Sequence, residues 1–245
     1  APTQVEVFDY YDRGAHRTEP LPATRPPDRA ATEARLAALG SAGRDVFGIL
    51  WATAEADPEG IVEGWLNANR HKAYDRWFGN VRLVRWAAER TPAQSVAGLP
   101  ARFGDALALR RLTHGPLAAA PGDVLTLTAD WAVPAAPPAG GARPDLTVFA
   151  HLVAADGAVA AQRDMRPVGG SAATSTWPAG PAVVDRIALA LPQDLAAGEY
   201  RLLLGLYDPA TGARLPATRA AGSAPGAGAV ADGAIVVGRV TVARR

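Results

Sequence analysis

The chain has 245 residues, enough for one large or two modest domains with a packed core. Its 25 glycines and 21 prolines stay below the roughly 25–30% that marks low-complexity chains, so disorder throughout is excluded. A net charge of +1 with no dense basic block argues against nucleic acid as a partner, and zero cysteines remove disulfides, thiolate zinc sites and cysteine nucleophiles together.

No run approaches the about 18 consecutive apolar residues of a transmembrane helix. The N-terminus also lacks the basic start and apolar core of a signal peptide. In chain order, Val5, Val7 and Phe8 fit a first helix with Gly14 as its stop. Asp28 is placed to cap a helix running through Ala30, Ala34 and Leu36 to Gly40. Val46 to Trp51 reads as a strand covered on both faces. Asp57-Pro58-Glu59 then opens a helix with a cap, a first-turn proline and an acid near the positive dipole end, and Ile61, Val62, Trp65 and Leu66 form its apolar stripe. Trp77 to Trp86 is rich in branched and aromatic residues and predicts the next strand, which makes a parallel strand–helix–strand crossover.

Beyond about Leu99 helical periodicity is lost and turn-punctuated strands take over. Leu107 to Leu112 is one, and Leu125, Leu127, Ala129 and Trp131 share one face of the next. Leu146 to Val153 and Ala158 to Met165 flank Asp156-Gly157, a tight-turn pair that sets residues whose numbers sum to 313 opposite each other. Val183 to Leu191, Tyr200 to Tyr207 and Ile235 to Val242 complete the set, with a turn at Asp208 to Gly212. The expected fold class is therefore an α/β N-terminal region, residues 1–97, followed by an all-β antiparallel sandwich, immunoglobulin-like or jelly-roll, over residues 98–245. Pro134 to Pro144 and Ala220 to Gly233 read as Ala, Gly and Pro loops.

Most motifs of known chemistry are missing. Lys72, the sole lysine, has no glycine-rich phosphate loop before it, and neither the dinucleotide fingerprint nor HExxH nor GxSxG occurs. No catalytic residue, metal site or cofactor is assigned. The aspartates Asp145, Asp156, Asp164, Asp185 and Asp208 have simpler roles as turn and strand-end acceptors than as calcium ligands. Three constellations remain as ligand-binding candidates. Asp75, Arg76 and Trp77, with Arg82, mix charge and aromatic surface as sugar-binding faces do. His151, Gln162 and Asp164 meet across the hairpin. Trp177, in Thr174-Ser175-Thr176-Trp177-Pro178, would either present an indole to a ligand or plug an edge of the strands.

The segments ADPEG, VEGWL and RWFGNVRL, and downstream PGDVLTLTADW, DLTVFAHLVAADG, AQRDMRPVGG, TSTWPAG, VVDR and GEYRLLLGLYDPATGARLP, carry a resemblance. They are similar to the extracytoplasmic region that follows the transmembrane helices in bacterial polytopic glycosyltransferases related to dolichyl-phosphate-mannose protein mannosyltransferases. The resemblance spans about Val5 to Val242 and is less specific in the second half. It implies a membrane-attached protein at the cell surface that takes sugar from a polyprenyl-phosphate carrier. The family's catalytic acids lie in a loop this chain does not contain, so none is carried over. It implies further that a strand precedes the first helix, which would leave the α/β region short of that strand. The expected function is that of a non-catalytic accessory domain, partnered by the membrane domain of the same polypeptide and by a glycan or polyprenyl-linked sugar acceptor. The competing expectations are an exported carbohydrate-binding or protein-interaction module and, more remotely, an enzyme acting through His151, Gln162 and Asp164.

Overall fold

The computed structural model describes residues 5–14, 16–40, 43–134, 143–180, 183–219, 230–231 and 233–244. The expected loops at 134–144 and 220–233 lie largely outside them. The fold is β-rich, and the chain divides into two compact units, Ala1–Ala88 and Glu89–Arg245. That division falls before residue 97 because Gln94 and Ser95 already pair with Thr113 and His114, and Val96 donates its amide to the Leu112 carbonyl.

The first unit carries α1 (Val5–Tyr11), α2 (Arg29–Gly40), β1 (Val46–Leu50), α3 (Thr53–Ala56), α4 (Ile61–Asn69), β2 (His71–Phe78) and β3 (Val81–Ala87). Asp28 caps α2 by accepting the Ala31 amide at 3.0 Å. Asp57 caps α4 with both oxygens, taking the Ile61 and Val62 amides at 2.9 Å each. Because Gly60 turns left-handed at φ 62° before the helix begins, Pro58 lies ahead of the first helical position expected for it. The strand expected over Trp77 to Trp86 is instead a hairpin: Gly79, at φ 60°, reverses the chain and Phe78 pairs with Val81. The sheet order is β1-β3-β2 with both pairings antiparallel, which corrects the simple parallel crossover. β1 and β2 do run in one direction, but β3 separates them.

Leu36 of α2 and Leu66 of α4 pack with Val84 and Trp86 on one face of this sheet. The buried Trp86 indole donates to Asn67 Oδ1 at 2.8 Å, which satisfies two polar groups that would otherwise cost stability. Gly48 makes room for the ring, since a Cβ there would lie 2.7 Å from Trp86 Cζ3.

The second unit holds two sheets. One runs in the order β11 (Val183–Ala190), β8 (Val124–Ala132), β6 (Leu107–His114), β5 (Ala101–Phe103) and β13 (Ala217–Arg219), with β4 (Gln94–Ser95) also on β6. The other runs β10 (Val159–Met165), β9 (Thr147–Val153), β12 (Gly198–Tyr207), β15 (Ala234–Val242) and β14 (Val230–Ala231), with β7 (Ala118–Ala119) parallel to β15. Leu109, Leu127, Trp131 and Leu189 of the first and Val148, Leu152, Leu202, Leu204 and Val237 of the second belong to one buried apolar cluster. The alternation expected along β8 is present, with Leu125, Leu127, Ala129 and Trp131 all in it.

Candidate functional site

The hairpin register places Asp75 and Trp77 on the face of β2 that Arg82 shares, and puts Arg76 and Phe78 on the other. The contiguous triad of the sequence is thus split. Arg82 donates to Asp75 Oδ1 at 2.7 Å and Oδ2 at 2.6 Å, and to both oxygens of Glu63 at 2.9 Å. Lys72, only 4% exposed, bridges Glu63 at 2.9 Å and Asp75 at 2.8 Å. Burial pushes the Asp75 carboxyl up, but Arg82 and Lys72 outweigh it and hold it down at about 2. For Glu63 burial is again the largest influence, and the same two cations bring it below the ordinary range. The Arg82 guanidinium lies 5.8 Å from the centre of the Trp77 ring, whose residue is 62% exposed. Arg76 instead stacks over Phe78 at 5.2 Å. Sequence reading found Asp75 and Arg82 but missed Glu63 and Lys72; the only signal was that each is a charged residue at an end of an apolar element.

Across the second hairpin, Gln162 faces His151 and Asp164 faces Phe149, the expected 313 register, with a bulge between Val159 and Ala161. The buried His151 imidazole donates from Nε2 to Asp164 Oδ1 at 2.8 Å. Its Nδ1 then accepts from Arg214 at 3.5 Å, and the Arg214 guanidinium covers the Phe149 ring at 4.5 Å from its centre. Gln162 is exposed and makes no hydrogen bond to either partner among the described residues. Arg214 lies too far along the chain for any sequence signal to connect it to the hairpin. Both ring nitrogens of His151 are thus engaged, one with Asp164 and one with Arg214.

Trp177 is 4% exposed and belongs to the core cluster of the second unit, so its candidacy as a stacking platform is withdrawn. Thr174 explains why the turn folds inward: its hydroxyl donates to the Pro144 carbonyl and accepts the Leu146 amide, both at 2.8 Å. Asp145 anchors the same turn by accepting the Ser175 hydroxyl at 2.6 Å.

Comparison with protein-family models and with curated proteins finds no match.

One further group stands out. Asp185, 2% exposed, accepts the Val168 amide at 2.7 Å, and burial pushes its carboxyl up to about 6. The Val168 amide and the Trp131 indole offset part of that rise. The indole falls short of hydrogen-bond geometry, which leaves Asp185 Oδ2 and Trp131 Nε1 each without a partner among the described residues. Val168 itself is left-handed at φ 54°, a costly conformation for a β-branched residue that the Asp185 contact helps to hold.

Proposed function

We propose that the chain is a non-catalytic, extracytoplasmic accessory domain of a polyprenyl-phosphate-sugar-dependent membrane glycosyltransferase, where it positions the acceptor or stabilises the membrane part of the same polypeptide. The observation that carries the non-catalytic reading is the saturation of its candidate chemistry. Asp75, Glu63, Lys72 and Arg82 neutralise one another, and His151 is held at both nitrogens by Asp164 and Arg214. A general base or nucleophile needs a free lone pair within reach of substrate, and the ion pairs occupy these groups except for Asp164 Oδ2, which has no partner among the described residues. The glycosyltransferase context rests on the resemblance of ADPEG, VEGWL, RWFGNVRL and the downstream segments. The cell-surface, membrane-attached location rests on it too. The architecture that fits this reading is an α/β region followed by an antiparallel sandwich, and the shared apolar cluster between the two sheets of the second unit supports it.

The exposed Trp77 ring favours a second reading, a carbohydrate-binding or protein-interaction module. A rigid indole beside paired charges gives a sugar both a stacking face and hydrogen-bond partners at low entropic cost. The test of the first reading is to incubate the isolated chain with a polyprenyl-phosphate-linked sugar and an acceptor. No sugar is transferred or hydrolysed if the reading holds, and turnover would overturn it. A glycan array separates the second: signal lost in Trp77→Ala supports it, and no signal with the unaltered chain contradicts it.

A further inference from the structure

On β12 and β15 the register sets Arg201 directly opposite Arg239. Both leave the second sheet on the face away from the core, because their neighbours Tyr200, Leu202 and Val240 are the residues that enter the buried cluster. Side chains directly opposed on antiparallel strands stand about 5 Å apart, and like charges in that position repel. Elsewhere a half-buried arginine such as Arg82 or Arg85 meets a carboxylate. Arg201, half-buried, and Arg239, exposed, form no ion pair or hydrogen bond among the described residues. Glu199 shares their face opposite Thr241, one row along, without bridging to either. The same row continues through Val153, which pairs with Arg201 and is buried, to Val159 on the edge strand, which is exposed.

We propose that Arg201 and Arg239 form a binding site for the phosphate group of a phosphate monoester, whose organic body lies toward the exposed Val159. Two guanidinium forks present enough donors to grip all the terminal oxygens of one phosphate, and a dianion cancels the repulsion that the bare pair bears. The exposed Val159 at the end of that row favours an ester over free phosphate. The site uses no residue of the Trp77 or His151 clusters, although it lies one row from His151 on the same face of the sheet, and it does not rest on the glycosyltransferase reading.

The experiment is titration of the whole chain at low ionic strength, followed by calorimetry and thermal unfolding, with inorganic phosphate, phenyl phosphate and benzoate as probes. Phenyl phosphate is expected to bind saturably and more tightly than either of the others. Arg201→Gln and Arg239→Gln should each weaken it about tenfold or more, as loss of a charge-assisted pair implies. Arg102→Gln, an exposed arginine opposite Thr218 rather than another cation, should leave binding unchanged. In buffer free of phosphate and other multivalent anions either glutamine variant should raise Tm by about 1–3 °C through relief of the like-charge contact. Absence of saturable binding, binding that survives both substitutions, or benzoate binding as tightly as phenyl phosphate would overturn the proposal.

Discussion

Asp185 shows how much one side chain can make stability depend on pH. Its folded-state pKa of about 6 lies above the ordinary 3.8, so between those values the folded chain holds a proton that the unfolded chain has released. Stability falls as pH rises through that window, by about 3 kcal/mol in total, and stays at the lower level above pH 6. Asp185→Asn removes the titration. The variant's stability relative to the parent is therefore expected to improve by about that amount between pH 3.5 and pH 6.5, whatever its offset at any single pH. Urea unfolding at several pH values checks this, and a constant difference would contradict it. Gly205 makes a second residue-level case. A Cβ there would meet the Phe149 ring at 2.3 Å, and that ring is buried between His151 and Arg214. Gly205→Ala is expected to destabilise by about 1–3 kcal/mol, read from the denaturation midpoint.

For single elements, the two hairpins show what the sequence can and cannot reveal. Asp156-Gly157 announced its turn because the pair supplies the positive φ such a turn requires, and Gly157 adopts φ 91°. The pairings of His151 and Asp164 were legible from that alone, whereas the bulge beside Ala160 was not, since small apolar residues fit either count. Gly79-Asn80 carries comparable turn chemistry, but the branched and aromatic residues on both sides mask it as one long strand. Missing it also hid the Glu63–Lys72–Asp75–Arg82 network, which exists only when β2 and β3 fold back on each other. Arg82→Met is expected to cost about 2–3 kcal/mol by leaving Glu63 and Asp75 with one cation between them, less than for a fully buried pair because solvent reaches part of the site. If Asp75→Asn and Arg82→Met destabilise additively, the network is not a unit; a double-mutant cycle in urea reads the difference.

At the level of the whole molecule, glycine and proline turns marked out the strands of the second unit, and alternation added the core-facing residues of β8, whereas β9 is buried at every position. Neither signal identified strand order. Neighbours such as β11 with β8, or β13 with β5, are far apart in the chain, and their pairing is settled by long-range packing that no local pattern encodes. For Trp177 the sequence left open a ligand platform or a plug at an edge of the strands, and its burial, with Thr174 and Asp145 drawing the turn inward, agrees with the plug. The residues that survive as binding candidates lie on exposed sheet surface, Trp77 in the first unit and the opposed arginines in the second, while the acids and bases that resemble catalytic groups are consumed in holding strands together. Under the proposed function such a molecule contributes contact and positioning, and that proposal assigns the chemistry to a membrane part of the same polypeptide. The measurement that tests this proposal most directly is sugar transfer from a polyprenyl-phosphate donor by the full polypeptide that the proposal assigns to a membrane glycosyltransferase, with and without residues 1–245. Donor hydrolysis in the absence of acceptor should persist after deletion while transfer to acceptor drops at least tenfold. Loss of donor hydrolysis in a deleted protein that still folds and inserts, or sugar transfer by the isolated chain, would contradict the account.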